Sequence, residues 1–194
     1  MNRRILSIAI VAGALAAAAG ATFALRASSS NEQPPAALQR ARVASDALPA
    51  AALAAASQRE LATAQSRMIA TDTYLVPTQS ASDLCLVSLL GNEMRATCNP
   101  ESRFFNGRQF VYLIGEEGAP SSLTGLTIAG VARPAVAEIE AVFPGGITQS
   151  VTPSPDGGFT LAATPTALSA GEPTSISALD QAGRVLEAEP GPSK

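Results

Sequence analysis

The 194-residue chain reads as a mainly β, antiparallel, exported protein, and three observations lead there. From Thr73 onward apolar and polar residues alternate with period two, in short runs broken by Gly, Pro, Asn and Asp, which is the pattern of half-buried strands. The only two cysteines, Cys85 and Cys98, lie equidistant from a Gly91-Asn92 pair, as residues facing each other across a hairpin would. Near the amino terminus, Arg3-Arg4 precede an uncharged apolar stretch, Ile5 to Leu25.

That stretch is an export segment. As a helix its 21 residues would reach about 31 Å, enough for a hydrocarbon core of about 30 Å. The arginines keep the amino terminus cytoplasmic and send the remainder across the membrane. Ala19-Gly20-Ala21 offers a signal-peptidase site, so both a cleaved signal peptide and a retained transmembrane anchor fit; the length of the run favours the anchor. Residues 1–25 are therefore assigned as signal-anchor helix and 26–44, rich in Ser, Pro and Gln without periodicity, as a disordered tether. From Ser45 the stripe Leu53, Ser57, Leu61, Ala64, Met68 predicts one amphipathic helix, with Ser45 or Asp46 as cap, Pro49 in the first turn and its apolar side on the following sheet.

Thr73–Pro77, the cysteine hairpin and Gln109–Ile114 form a first β unit within 45–118. With Gly91-Asn92 as the turn, Cys85 and Cys98 occupy a non-hydrogen-bonded pair, where Cα atoms approach to about 4.5 Å and a disulfide can close. The same register puts Cys85, Val87, Leu89, Met94, Ala96 and Cys98 on one face, and Ser88, Glu93, Arg95 and Thr97 on the other. With no histidine and no third cysteine a zinc site lacks ligands, and the spacing is not that of a C-x-x-C redox pair. A disulfide requires an oxidising compartment, in agreement with the export segment.

The loop "GEEGAPSS" leads to a second unit, 119–189, ahead of a 190–194 tail. Its strands are expected at Leu126–Val131, Ala135–Phe143, Ile147–Thr152, Gly158–Ala163, Thr174–Leu179 and Arg184–Ala188; six short strands with regular turn signals predict an antiparallel sandwich. In the second of these Ala137, Ile139, Ala141 and Phe143 share one face, and Glu138 and Glu140 the other. Taken together, "SDALP", "YLVP", "LCLVSL", "GLTIAGVA", "AEIEAVFPGG" and "SALDQAGRVL" resemble a group of uncharacterised actinobacterial envelope proteins whose carboxy-terminal part is similar to bacterial immunoglobulin-like modules. The resemblance implies export and an immunoglobulin-like β-sandwich, and brings no functional residue with it.

Composition narrows the function. Net charge is −3, lysine occurs only at Lys194, aromatics are 4 % and tryptophan is absent, so neither a basic patch for nucleic acid nor stacking platforms for bases or sugars are expected. Without histidine the Ser-His-Asp and Cys-His arrangements cannot form. Paired carboxylates remain: Glu138/Glu140 on one strand face and Glu116-Glu117 in a loop, although a glycosidase pair would want aromatics beneath the sugar. Asp156 and Asp180 sit in Gly-containing turns, where turn chemistry competes with a calcium role. The expectation is a membrane-tethered, extracytoplasmic, non-catalytic accessory or protein-interaction module of the envelope. It has no assigned catalytic, cofactor or metal residue and no small-molecule substrate, and its partners are the membrane through the N-terminal helix and a protein of the envelope. The alternative is a small envelope hydrolase using Glu138 and Glu140.

Overall fold

The structure is a computed structural model describing residues 33–90, 93–119 and 122–192; the export segment, the Gly91-Asn92 turn and Lys194 lie outside them. The described residues belong to one compact unit, Asn31–Lys194. Among them no helix is long and apolar enough to cross a membrane.

Three antiparallel sheets are stacked. Strands β1 (Arg67–Ala70), β2 (Thr73–Pro77), β3 (Asp83–Leu90) and β4 (Glu93–Pro100) form a meander in chain order. Strands β5 (Phe110–Ala119), β6 (Ser122–Ala132) and β9 (Gly158–Ala162) form the middle sheet in the order β5-β6-β9. Strands β7 (Glu138–Phe143), β8 (Ile147–Val151), β10 (Ser175–Leu179) and β11 (Val185–Pro190) form the third, in the order β11-β10-β7-β8. Two short helices, α1 (Ala50–Gln58) and α2 (Pro165–Ala170), complete the fold.

Period-two alternation explains how one middle sheet serves two cores. Phe110, Ile128, Phe159 and Leu161 point to one side and pack with Ile139, Ala141, Phe143, Ile176 and Ala178 of the third sheet. Val111 and Val131 point to the other, against Leu75, Leu84 and Leu86 of the meander and the edge-to-face pair Phe104–Phe105. On the meander's far face, Tyr74, Val76, Cys85 and Val87 receive Ala52 and Ala56 of α1. Two glycines permit the close approaches. A Cβ at Gly130 would meet the Val111 carbonyl and the Phe159 ring, and one at Gly158 would overlap the Ile69 backbone where β1 passes over β9.

Several expectations are corrected. The helix ends at Gln58 and buries Ala52 and Ala56, leaving Leu53 43 % exposed, one residue out of phase with the expected stripe. Glu60, at φ 55°, reverses the chain, Leu61 bridges Thr78, and Met68 belongs to β1. Neither Ser45 nor Asp46 caps α1, since both lie in the separate 3-10 turn Ala44–Asp46, and Pro49 holds the N-cap position. The tether assigned to 26–44 does not extend that far, because Ala37 is fully buried in the core beneath Phe104 and Phe105. The division at 118/119 falls inside a hairpin: β5 and β6 pair from Phe110↔Ala132 to Ala119↔Ser122, with one bulge between Glu117 and Gly118. The long strands β5 and β6 therefore belong to both halves and fuse them.

Candidate functional site

The cysteine hairpin has the register its symmetry dictates. Cys85 pairs with Cys98, Val87 with Ala96 and Leu89 with Met94. The disulfide is formed, with Cα atoms 4.0 Å apart, close to the spacing of a non-hydrogen-bonded pair. Cys85 is fully buried beneath α1 whereas Cys98, on β4, is exposed, so the crosslink ties the core of the meander to its outer strand. Ser88, on the opposite face as the alternation requires, is fully buried: it shares a hydrogen bond of 3.2 Å with Thr73 across β2 and β3. Arg95, on the same face, donates to the Ile114 carbonyl at 2.6 Å and so couples the meander to the middle sheet.

The strongest polar cluster joins the amino-terminal segment to the sandwich. Asp46 is fully buried; its carboxylate accepts from Arg40 Nη1 at 2.8 Å and Nη2 at 2.7 Å, from the Val43 N–H at 2.7 Å and from the Met68 N–H at 2.8 Å. Arg40 also donates through Nε to Asp156 at 2.7 Å and through Nη2 to the Met68 carbonyl. The guanidinium, followed by the two N–H donors, holds the Asp46 carboxyl far below the usual carboxylate range despite burial. Arg40 is correspondingly held charged by its two carboxylate partners.

Beside this cluster lies a cleft of about 360 Å³ between the amino-terminal segment and the β6–β7 and β8–β9 connections. Its walls include Pro34, Pro35, Pro134, Pro153 and Pro155, which lack N–H donors and have fixed φ, so the cleft is preshaped and short of backbone donors. Two of its polar side chains are engaged within the fold: Ser154 donates to the Ile69 carbonyl and accepts from the Gly158 N–H, while Arg133 stacks 4.7 Å over the Phe105 ring and donates to the Arg108 carbonyl. Such a cleft can hold apolar groups in shape but offers no paired acid and base.

A second polar seam joins β5 to β11. Glu187 and Glu189 pair with Ala178 and Ile176, whose side chains face the core, so both carboxylates turn inward. Glu187 accepts from the Gln109 N–H at 2.5 Å and Glu189 lies 2.8 Å from the Arg108 guanidinium. Burial, together with the neighbouring Glu189, pushes the Tyr112 phenol up. Inward charges of this kind also protect an edge strand from pairing with another chain.

The residues singled out from sequence are dispersed. Glu138 and Glu140 lie on the outer face of β7, opposite Leu179 and Ser177 of β10, as the alternation requires. Glu116 and Glu117 belong to β5 rather than to a loop. Asp156 is held by Arg40, and Asp180 closes the β10–β11 turn, accepting from the N–H groups of Ala182 and Arg184 and from the Arg184 side chain; these bonds hold its carboxyl below the usual range. Both carboxylates are thus used within the fold, and among the described residues no group of three or more Asp, Glu, Cys or His side chains is placed to hold a metal ion. No family model, curated protein or solved structure matches the chain.

Proposed function

We propose that this chain is an extracytoplasmic, membrane-tethered, non-catalytic interaction module of the bacterial cell envelope, akin to the actinobacterial envelope proteins its sequence resembles. The observation that carries the reading is the Cys85–Cys98 crosslink, built into the cross-strand register with Cys85 buried beneath α1, which calls for an oxidising compartment. The apolar run Ile5–Leu25 behind Arg3-Arg4 supplies the route of export and the anchor. We further read β5 to β11 as an immunoglobulin-like module. Its strand orders β5-β6-β9 and β11-β10-β7-β8 correspond to A-B-E against G-F-C-C′, with β8 beside β7 as C′. That module would begin at Phe110 and present sheet faces and loop tips to a protein partner.

The test is fractionation of the native host followed by mass spectrometry without reduction. The expected result is a chain that resists carbonate extraction, starts at or near Met1, and is lighter by two hydrogens than its reduced form. A reduced cytoplasmic chain would overturn the reading, and a soluble form starting near Thr22 would replace the anchor by a cleaved signal. Capture from envelope extract by the full-length protein then identifies the partner.

A further inference from the structure

We propose that the end of the sandwich carrying Arg42-Val43 and Arg184-Val185-Leu186 docks on an anionic lipid bilayer; this rests on the tethered reading above. Antiparallel alternation gathers the β4–β5, β6–β7, β8–β9 and β10–β11 connections at one end of the molecule. Gln109 bonds Arg133, Ala137 bonds Leu179, and the β6–β7 and β8–β9 connections line one cleft. Arg40 fastens the amino-terminal segment to the same end through Asp156. Those connections and that segment carry Arg40, Arg42, Arg103, Arg108, Arg133 and Arg184; Asp46 and Asp156 hold Arg40, Glu189 holds Arg108 and Asp180 holds Arg184, whereas Arg42 and Arg103 carry no ion pair among the described residues. Toward the opposite end, the β5–β6 hairpin carries Glu116 and Glu117, the β9–β10 connection carries Glu172, and Arg95 of β4 reaches the Ile114 carbonyl. In a chain of net charge −3, Arg42 and Arg103 are thus the arginines available to an anionic surface at the end to which the amino-terminal segment is fastened.

Apolar exposure coincides with that charge. Of the four large exposed apolar side chains among the described residues, Val43 at 52 % follows Arg42, Val185 at 61 % and Leu186 at 39 % are the two residues after Arg184, and Leu53 lies elsewhere, on α1. Arginine beside an exposed aliphatic residue suits the headgroup boundary, where the guanidinium meets lipid phosphate and the aliphatic group enters the acyl region. From Leu25 to Gln33 the chain can span at most about 28 Å fully extended. The anchored end is therefore held at high effective concentration over the bilayer, and weak contacts suffice to dock it.

The test uses the full-length protein reconstituted in vesicles of phosphatidylcholine alone or with phosphatidylglycerol, with backbone hydrogen exchange as the readout. The expected result is slower exchange of residues 41–44 and 181–187 only with phosphatidylglycerol, abolished by high salt, with 116–119 unaffected. Arg42→Gln with Arg103→Gln is expected to lower the docked-to-undocked ratio about 25-fold, at about fivefold per arginine near an anionic surface. Val185→Ser with Leu186→Ser is expected to lower it while leaving its salt dependence intact. Equal exchange in both vesicle types, or protection at 116–119 instead, would overturn the proposal. If the chain leaves the vesicles in high salt the anchor reading fails by itself, and flotation of that soluble chain with phosphatidylglycerol vesicles at low salt then decides the docking.

Discussion

At the scale of single residues, Asp46 concentrates the consequences. It is fully buried and its main compensating charge, Arg40, keeps 28 % of its side chain in solvent. Asp46→Ala would leave the guanidinium with one carboxylate and the N–H groups of Val43 and Met68 without their acceptor, a loss of about 3 kcal/mol, the low end for a broken buried pair. The pH dependence follows from the same bonds. Because the folded-state carboxyl titrates far below its unfolded value, the stabilisation is complete above the ordinary aspartate range and is lost as pH falls from about 4 toward the depressed value. Chemical denaturation from pH 5 down to pH 2 is expected to give a steeper fall for the native chain than for Asp46→Asn; equal slopes would remove Asp46 from the account. By contrast, Glu138→Gln with Glu140→Gln, on the outer face of β7, is expected to leave the melting temperature and any cellular phenotype unchanged. Loss of phenotype in a normally melting variant would favour the hydrolase alternative.

At the scale of elements, the cysteine hairpin is the part most legible in sequence, since turn, register and crosslink are all encoded within fourteen residues, Cys85 to Cys98. Replacing both cysteines by serine is expected to destabilise the fold by about 2–5 kcal/mol, read by urea denaturation. One residue inserted beside Gly91 would turn one cysteine to the opposite face, and the bridge is expected not to form. The strands of the third sheet were equally readable, because Glu138 and Glu140 alternate with Ile139, Ala141 and Phe143. Strand β1 was hidden, since Met68 continues a helical spacing by coincidence and only the positive φ of Glu60 ends that register. The β5–β6 tip was misread for a related reason: Gly, Pro and Ser mark a hairpin end and an interdomain linker alike. Arg40 and Asp156 stand 116 residues apart, and no local pattern announces such a pair. The passage of β1 over β9 is also tertiary in origin. Gly158→Ala would drive a Cβ into the Ile69 carbonyl, backbone that cannot rotate away, and is expected to cost about 2–3 kcal/mol or more in the same denaturation.

At the scale of the whole molecule, the stacking of three sheets makes the amino-terminal segment part of the fold rather than a spacer. Ala37 fills the core between the meander and the middle sheet, and Arg40 reaches both Asp46, ahead of β1, and Asp156, ahead of β9. Two deletions separate spacer from fold. Removing 26–32 keeps Ala37, Arg40 and Asp46 and is expected to leave the melting temperature of the exported chain unchanged. Removing 33–44 takes the buried Ala37, leaves Asp46 without its guanidinium and frees Asp156, and is expected to cost about 3–5 kcal/mol. For a chain of this size that corresponds to a fall of about 10 °C in Tm, measurable by calorimetry. Equal melting of the two deletions would mean that the segment contributes no net stability, and the boundary between tether and fold would then return to residue 44.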